Sequence, residues 1–276
     1  MDIPYVDISA QYKDHREEIL NNIDKVMLSG QYILGEELER FENSFAELCT
    51  TKHAIGVADG TAALSLTIRS LGIGAGDEII TAPNSFFSSA SSIVHTGARP
   101  VFCDIRKDQN IDPYQLEKHI TERTKAIIPV HLTGKVADMN PILQIAQKYN
   151  IHVIEDSAQA VGASYYGKKA GSLGIAGCFS LHPLKNLNAA GDAGIITTND
   201  DQLAHKIRLI RNHGMVDRNT ITEWGYNSRL DCLQAAILNV RIKYLDSVIE
   251  KRRQNAKQYR SLLSGVVDCP QDADNC

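Results

Sequence analysis

A single lysine stands where an apolar stretch of the sequence gives way to a polar loop. In "FSLHPLKNLNAAGDAG" (179–194), Lys185 follows the apolar run and precedes a loop rich in Asn, Ala and Gly. A nucleophilic lysine needs a lowered pKa, which desolvation or a nearby positive charge provides, and imine formation with an aldehyde cofactor achieves the same end. A lone lysine is more often a surface cation, so the surrounding sequence must decide between the two interpretations.

A carboxylate follows a second apolar stretch. In "IHVIEDSAQAVGA" (151–163), Asp156 comes directly after an almost entirely apolar strand, which predicts a position at the carboxyl edge of a sheet. Burial of a carboxylate is costly unless a cation or a hydrogen-bond donor meets it. A protonated pyridine nitrogen is one such partner, and Gln159 could then hydrogen-bond the neighbouring oxygen of the ring. The competing interpretation is an aspartate that caps a helix.

A glycine and a threonine open a predicted helix in "VADGTAALSLTIRSLG" (57–72). The free amides, the hydroxyl group and the positive end of the helix dipole at Gly60 and Thr61 suit a phosphate. An ordinary helix cap by Asp59 or Thr61 explains the same residues. In "WGYNSRLDCLQAA" (224–236), the polar residues before the next predicted helix are equally well explained by a cap and surface neighbours.

The segments together match the needs of one cofactor. Pyridoxal 5′-phosphate (PLP) requires a phosphate-binding turn, a carboxylate at its ring nitrogen and a lysine for the imine, all in one cleft. Gly60 with Thr61, Asp156 and Lys185 supply these groups from three predicted strand ends. A flat side chain over the ring could come from Phe86, which begins another helix after a strand.

The elements that must position these residues alternate along the chain. Apolar β-branched runs alternate with amphipathic segments, which predicts an α/β fold with three αβα layers and a mostly parallel central sheet. In open α/β sheets, ligands bind beyond the carboxyl ends of the strands, where the segments above are located. The predicted strands cover residues 77–82, 98–105, 125–132, 151–158, 175–182 and 194–199, and the predicted helices cover residues 85–97, 116–124, 137–150, 200–214 and 231–263.

Composition excludes several classes of protein. The net charge of −4 lacks the basic excess typical of a nucleic-acid partner. The six cysteines are scattered without a C-x-x-C pair, so neither a metal site nor a disulfide framework is predicted. The first residues are too polar for a signal peptide, and no apolar run approaches membrane-spanning length. We therefore predict a cytoplasmic protein with no membrane partner.

Seven motifs, in order, resemble the DegT/DnrJ/StrS sugar aminotransferases, which are PLP enzymes of fold type I within the aspartate aminotransferase superfamily. The resemblance runs from residue 3 to about residue 262, and the number of ordered motifs makes it specific. The motifs are "DGTAALSLTIRSLGIGAGDEII", "HTGARPVFCDI", "TKAIIPVHLTG", "VIEDSAQAVGASYYGKKAGSLG", "GCFSLHPLKN", "LIRNHG" and "GYNSRLDCLQAAIL".

This resemblance implies a role for each matching residue. Lys185 resembles the catalytic lysine that forms the imine, Asp156 the partner of the pyridine nitrogen and Gln159 the residue near the ring hydroxyl. The other cofactor-binding positions are Phe86 for ring stacking, Gly60, Thr61 and Ser180 for the phosphate, and Asn227 for the phosphate of the cofactor in the neighbouring subunit. A homodimer with shared active sites is therefore implied.

The function that the resemblance implies is transfer of an amino group from an amino acid, with glutamate as the expected donor, to a nucleotide-linked keto-sugar. One alternative substrate is a free keto-sugar or keto-cyclitol. A non-catalytic, PLP-binding regulatory relative is an alternative from another class. A related dehydratase branch replaces the lysine with histidine, so Lys185 argues against that branch.

Two features depart from the family pattern. The family's chains normally continue into a smaller carboxyl-terminal domain, so residues 1–250 are predicted to form the PLP-binding domain and residues 251–276 the start of a truncated second domain. The loop after the lysine carries Asn188 and Ala189 where relatives are often richer in glycine. The residues predicted to contact the sugar are His182, where many relatives have an aromatic residue, His131 and Arg229.

Overall fold

One central sheet and the helices around it make up the protein, which the computed structural model describes over residues 6–270. The strands are β1 (His53–Val57), β2 (Glu78–Thr81), β3 (Arg99–Phe102), β4 (Thr124–Ile128), β5 (His152–Asp156), β6 (Ser164–Tyr165), β7 (Lys168–Lys169), β8 (Ala176–Ser180), β9 (Gly194–Thr198), β10 (Met215–Asp217) and β11 (Thr220–Ile221). The helices are α1 (Ile8–Asp14), α2 (Arg16–Ser29), α3 (Glu36–Cys49), α4 (Gly60–Ser70), α5 (Ser88–His95), α6 (Met139–Tyr149), α7 (Asp201–Ile210), α8 (Cys232–Arg241) and α9 (Leu245–Leu263).

The main sheet is mostly parallel, as the alternation of strands and helices predicts. Its order is β1-β9-β8-β5-β4-β2-β3, and only β9 runs antiparallel to its two neighbours. The remaining pairs along the sheet are parallel. The carboxyl ends of β1, β2, β4, β5 and β8 therefore meet at one edge, and the segments that follow these strands are brought together there.

Helices cover both faces of the sheet because successive side chains of a strand point to opposite faces. In β2, Ile79 packs in the cluster that contains residues of α4, α5 and α7, whereas Ile80 packs on the opposite face with residues of α6. That second face continues under α3 and α8, where the rings of Phe45 and Phe179 meet edge to face at 5.0 Å between centroids. The result is the three-layer architecture that the sequence predicts.

A buried ion pair hydrogen-bonds the backbone of Gly56 at the outer edge of β1. The amide of Gly56 donates to Glu42 Oε1 at 2.8 Å, and Arg211 Nη1 donates to the carbonyl of Gly56 at 2.7 Å. Arg211 Nη1 also lies 2.5 Å from Glu42 Oε1. The two side chains thus satisfy the amide and the carbonyl of Gly56, which a further strand would otherwise pair with.

Some predicted elements differ from those observed. The predicted helix at 116–124 is a short 3-10 helix, Pro113–His119, which Asp112 caps by accepting from the amide of Tyr114. The long predicted helix at 231–263 is interrupted by a 3-10 turn at Ile242–Tyr244, after which α9 buries only Leu245. The predicted domain boundary after residue 250 falls inside α9, and the division into domains stays a prediction.

Residues 6–270 contain neither a membrane-spanning helix nor a cluster of metal-binding side chains. No helix in this part of the chain combines the length and the apolar character needed to cross a bilayer. The same residues contain no cluster of three or more His, Cys, Asp and Glu side chains arranged to hold a metal ion.

Candidate functional site

A cavity of about 530 Å³ opens at the carboxyl edge of the main sheet. It lies where α4, α5, the end of β5 and the loop after β8 converge, so its walls come from parts of the chain that are far apart in sequence. Eight of the residues singled out in the sequence line it, namely Gly60, Thr61, Phe86, Asp156, Gln159, Ser180, His182 and Lys185.

The amino terminus of α4 forms one wall of the cavity. Asp59 caps the helix by accepting from the amide of Ala62 at 2.8 Å, which leaves the amides of Gly60 and Thr61 without a partner among residues 6–270. A Cβ atom at position 60 would lie 2.8 Å from the Cβ of Ser180, so only glycine allows this close approach of α4 to the end of β8. The helix cap and the open anion-binding amides expected from the sequence therefore coexist here.

A second helix begins beside the first. The hydroxyl of Thr61 lies 2.8 Å from the hydroxyl of Ser88, the first residue of α5. Phe86, just before that helix, lines the cavity with 77% of its surface exposed. An exposed aromatic ring at a cavity wall offers a flat apolar surface to a ligand.

A buried carboxylate lies at the floor of the cavity. Asp156 is 5% exposed, its Oδ2 accepts from the hydroxyl of Ser89 at 2.6 Å, and its Oδ1 accepts from the amide of Ala158 at 3.2 Å. Burial raises the pKa of Asp156, and the hydrogen bonds from Ser89 and Ala158 oppose that rise. Ser89 is itself hydrogen-bonded to Ser85 at 2.7 Å, so a short chain of hydroxyl groups leads from the carboxylate towards the cavity wall.

The amine of Lys185 faces the same cavity. The side chain is half-buried, and its Nζ forms no hydrogen bond or ion pair within the described part of the chain. Burial lowers the pKa of this amine, and the negative charge of Asp156 raises it to a smaller extent. The amide of Lys185 donates to the carbonyl of His182 at 2.9 Å, which closes the turn that carries the lysine.

Three sequence-predicted residues lie outside the cavity lining. His131 is fully buried: its Nε2 lies 2.9 Å from Glu155 Oε2 and its Nδ1 accepts from the amide of Ala137 at 3.2 Å. The prediction that His131 faces the ligand is therefore wrong, because both ring nitrogens are engaged inside the protein. Arg229 donates to Asn212 Oδ1 at 2.9 Å, and Asn227 is exposed and pairs with Asn212 in a β-bridge.

Several cavity residues were not singled out in the sequence. Ser89 was missed although it holds the carboxylate, and Ser85, Ser88, Leu184 and Asp192 also line the cavity. A usable signal was the serine-rich stretch "NSFFSSASS" between β2 and the body of α5, because hydroxyl groups after a parallel strand reach the ligand-binding edge.

Known proteins resemble this chain over most of its length. The "Pleiotropic regulatory protein" of Geobacillus stearothermophilus is 47% identical over 268 residues, which are 97% of this chain and 72% of that protein. The dTDP-3-amino-3,6-dideoxy-alpha-D-galactopyranose transaminase of Aneurinibacillus thermoaerophilus is 48% identical over 259 residues, 93% of this chain and 71% of that enzyme. The crystal structure of S. venezuelae DesV in complex with a ketimine intermediate has a TM-score of 0.96 at 41% identity, covering 99% of this chain and 75% of that one.

A family model gives the same result from sequence alone. The model of the DegT/DnrJ/EryC1/StrS aminotransferase family matches residues 13–274. This range includes the whole main sheet and every residue that lines the cavity. Both the resemblance identified in the motifs and the α/β fold expected from it are confirmed, and the chain belongs to the DegT/DnrJ/EryC1/StrS aminotransferase family.

Proposed function

We propose that this protein is a PLP-dependent aminotransferase that moves an amino group from an amino acid to a nucleotide-linked keto-sugar. In the overall reaction, the amino acid becomes a 2-keto acid and the keto-sugar becomes an amino sugar, so the amino group and the carbonyl oxygen exchange places. The observation that carries the proposal is the half-buried amine of Lys185, which has no partner among residues 6–270, in one cavity with the buried carboxylate of Asp156.

The cavity fits PLP on the chemistry of its walls. The two open amides of Gly60 and Thr61, with the nearby hydroxyl of Ser180, form an anion site for the phosphate. Within residues 6–270 the hydrogen-bond donors to Asp156 are neutral, so its buried charge gains from a protonated ring nitrogen beside it. Phe86 would cover the ring. Gln159, which also lines the cavity, would donate to the ring oxygen.

The residues of the chain then have distinct tasks. Bound here, PLP supplies an aldehyde that takes up the amino group and a ring that accepts an electron pair. The carboxylate of Asp156 keeps the ring nitrogen protonated, which makes the ring a better electron acceptor. Lys185 Nζ holds the cofactor at rest and, once released, accepts the α-proton of the amino-acid donor. The same amine later returns a proton to the sugar carbon that receives the amino group.

Relatives support the class of substrate. The Aneurinibacillus thermoaerophilus enzyme is named as a transaminase of a dTDP-linked amino sugar, and its identity of 48% supports a nucleotide-linked sugar here. We propose glutamate as the donor. His182, an exposed residue at the cavity wall, would contact the sugar, and Arg229 would do so from the adjoining loop.

A homodimer would complete the site. Asn227 is exposed outside the cavity of its own chain, so it is available to a phosphate bound in the partner subunit. Phe86 and Trp224 expose 77% and 98% of their surfaces, and a subunit interface would cover such aromatic groups.

We place the enzyme in the cytoplasm, because the buried thiols of Cys49 and Cys178 are free, as in a reducing compartment. We assign cofactor binding to residues 1–250 and the start of a second domain to residues 251–276.

A spectrum tests the proposal directly. Purified protein with PLP should show the absorbance band of the lysine-bound cofactor, and glutamate should convert that band to the pyridoxamine form. Lys185→Ala should bind PLP without this conversion and should have no measurable turnover. Protein that binds no PLP, or a Lys185→Ala variant with normal turnover, would refute the assignment.

One relative gives reason to test a regulatory function as well. The Geobacillus stearothermophilus protein is named as a regulatory protein at 47% identity. A PLP-binding regulator would show the lysine-bound band but no response to glutamate, and it would not produce an amino sugar. A free keto-sugar as substrate is distinguished by comparing turnover of a sugar nucleotide with that of the same sugar without the nucleotide.

A further inference from the structure

The loop that carries Lys185 is closed by one buried side chain. Asn188 is 2% exposed, and its Nδ2 donates to the carbonyl of Pro183 at 2.6 Å. Pro183 and Asn188 lie on either side of Lys185, so this hydrogen bond ties together the two ends of the short segment that bears the amine. The same Nδ2 also donates to Gln11 Oε1 in α1 at 3.0 Å.

The closed loop is attached to α8 by an arginine. Arg241 Nη1 donates to the carbonyl of Asn188 at 2.7 Å and to the carbonyl of Ala189 at 3.3 Å, and it also hydrogen-bonds Asn188 Oδ1. Gln234, about two turns earlier on α8, accepts from the amide of Ala190 at 2.8 Å. The loop is therefore held to a helix that packs under the main sheet.

We propose that Asn188 and Arg241 are positioning residues that hold Lys185 Nζ in the cavity, a role that rests on the proposed function of that lysine. The side-chain Nδ2 of Asn188 closes the segment by its hydrogen bond to Pro183. The backbone carbonyl oxygen and the side-chain Oδ1 of Asn188 attach the segment to Arg241. Neither residue lines the cavity, so both act through the backbone around Lys185.

The chemistry of asparagine suits this task better than that of glycine. A glycine at position 188 would lose both the hydrogen bond to Pro183 and the side-chain contact with Arg241. The segment would then sample more conformations, and the amine would spend more time in water. Burial lowers the pKa of Lys185, so a looser loop returns that pKa towards the ordinary lysine value.

Two substitutions separate the closure of the loop from its attachment. Asn188→Asp keeps an acceptor for Arg241 but loses the donor to Pro183, whereas Arg241→Lys keeps a cation but cannot reach all of its present acceptors. Gln11→Ala is the matched control, because it removes the other partner of Asn188 Nδ2 and leaves the closure intact. Urea unfolding of each variant establishes that it is folded before the cofactor is added.

The experiment follows capture of PLP by the full chain. Each protein is mixed with PLP at a series of pH values, quenched with borohydride at timed intervals and mapped by peptide mass spectrometry. We expect Asn188→Asp to slow capture at Lys185 about tenfold, the equivalent of one lost hydrogen bond, and to move the pH profile of capture to higher pH. Arg241→Lys should move the profile in the same direction, and Gln11→Ala should stay within about twofold of the wild type.

The outcomes distinguish this inference from the proposed function. If Asn188→Asp and Arg241→Lys both capture PLP with the rate and pH profile of the wild type, the positioning role is overturned. Capture at Lys185 in the same experiment would still support the proposed function of that lysine. A slower rate with an unchanged pH profile would also overturn it, because the amine would then have kept its surroundings. Wild-type capture on another lysine, or none at all, would refute the proposed function itself. If Asn188→Asp does not fold, the profile of Arg241→Lys decides.

Discussion

Replacement of Asp156 by asparagine should make the cofactor-free protein more stable and the cofactor-bound protein less stable. The carboxylate is 5% exposed, and within residues 6–270 its hydrogen bonds come from two neutral donors, the hydroxyl of Ser89 and the amide of Ala158. Asparagine fits the same contacts, since its oxygen can accept from Ala158 while its amide donates to Ser89 Oγ. The Ser89 hydroxyl can then turn towards Ser85, 2.7 Å away. The substitution thus removes a buried charge without leaving a polar group unpaired.

The expected increase in the free energy of unfolding is the difference between the desolvation cost of the carboxylate and the strength of its hydrogen bonds. Desolvation of a carboxylate costs several kcal/mol in a protein interior. A hydrogen bond to a charged group contributes about 1.5–3 kcal/mol, against about 0.5–1.5 kcal/mol for a neutral one, so two weakened hydrogen bonds cancel much of that cost. We therefore expect Asp156→Asn to raise the free energy of unfolding of the cofactor-free protein by about 1 kcal/mol at neutral pH.

The stability difference between the asparagine variant and the wild type should depend on pH, in a direction set by the pKa of Asp156. Burial raises the pKa of Asp156 in the folded protein above the unfolded value, so the unfolded chain loses its proton first as the pH rises. The destabilisation is absent below the unfolded pKa, grows between the two pKa values and is complete above the folded one. The advantage of the asparagine variant should therefore appear as the pH rises from acid to neutral.

Urea unfolding of both proteins from acid to neutral pH, with and without PLP, measures these effects. Asp192→Asn is the control, because Asp192 lines the same cavity but is exposed. At a PLP concentration 100 times the wild-type Kd, the wild type should gain about 2.7 kcal/mol and the asparagine variant much less, which reverses their order. A cofactor-free asparagine variant less stable than the wild type at neutral pH would refute the reasoning on the buried charge.

Two further substitutions test other parts of the structure. Gly60→Ala places a Cβ 2.8 Å from the Cβ of Ser180, so α4 must move and PLP should bind about tenfold more weakly in a fluorescence titration. Unchanged affinity would show that the open amides do not hold the phosphate. Arg211→Met leaves the buried carboxylate of Glu42 unpaired and should lower the free energy of unfolding by about 3–5 kcal/mol in urea. Arg208→Met replaces a half-buried arginine in α7, just before Arg211, and should lower the free energy of unfolding by less than about 0.5 kcal/mol. Equal losses from the two substitutions would contradict the role of the pair.

The local pattern of the sequence was enough to predict the sheet and the general position of the site. The apolar runs that end at Asp156 and before Lys185 predict parallel strands, and the carboxyl ends of parallel strands share one edge. The chemical type of each residue, together with this rule, therefore placed Gly60, Asp156 and Lys185 near one another. Lys185 is half-buried in this cavity and is not a surface cation.

Tertiary structure alone decided which groups surround each functional side chain. Ser89 hydrogen-bonds Asp156 from 67 residues away, and Arg241 holds Asn188 from 53 residues away. No periodicity in the sequence encodes such pairs, because they depend on how layers of the fold pack after the elements have formed. For His131, the sequence predicted a contact that the packing does not form. Its position after a strand predicted contact with the ligand, whereas its ring hydrogen-bonds Glu155 inside the protein. The sequence alone determined the chemistry available at the sheet edge, and the packing of distant elements determined which side chains reach it.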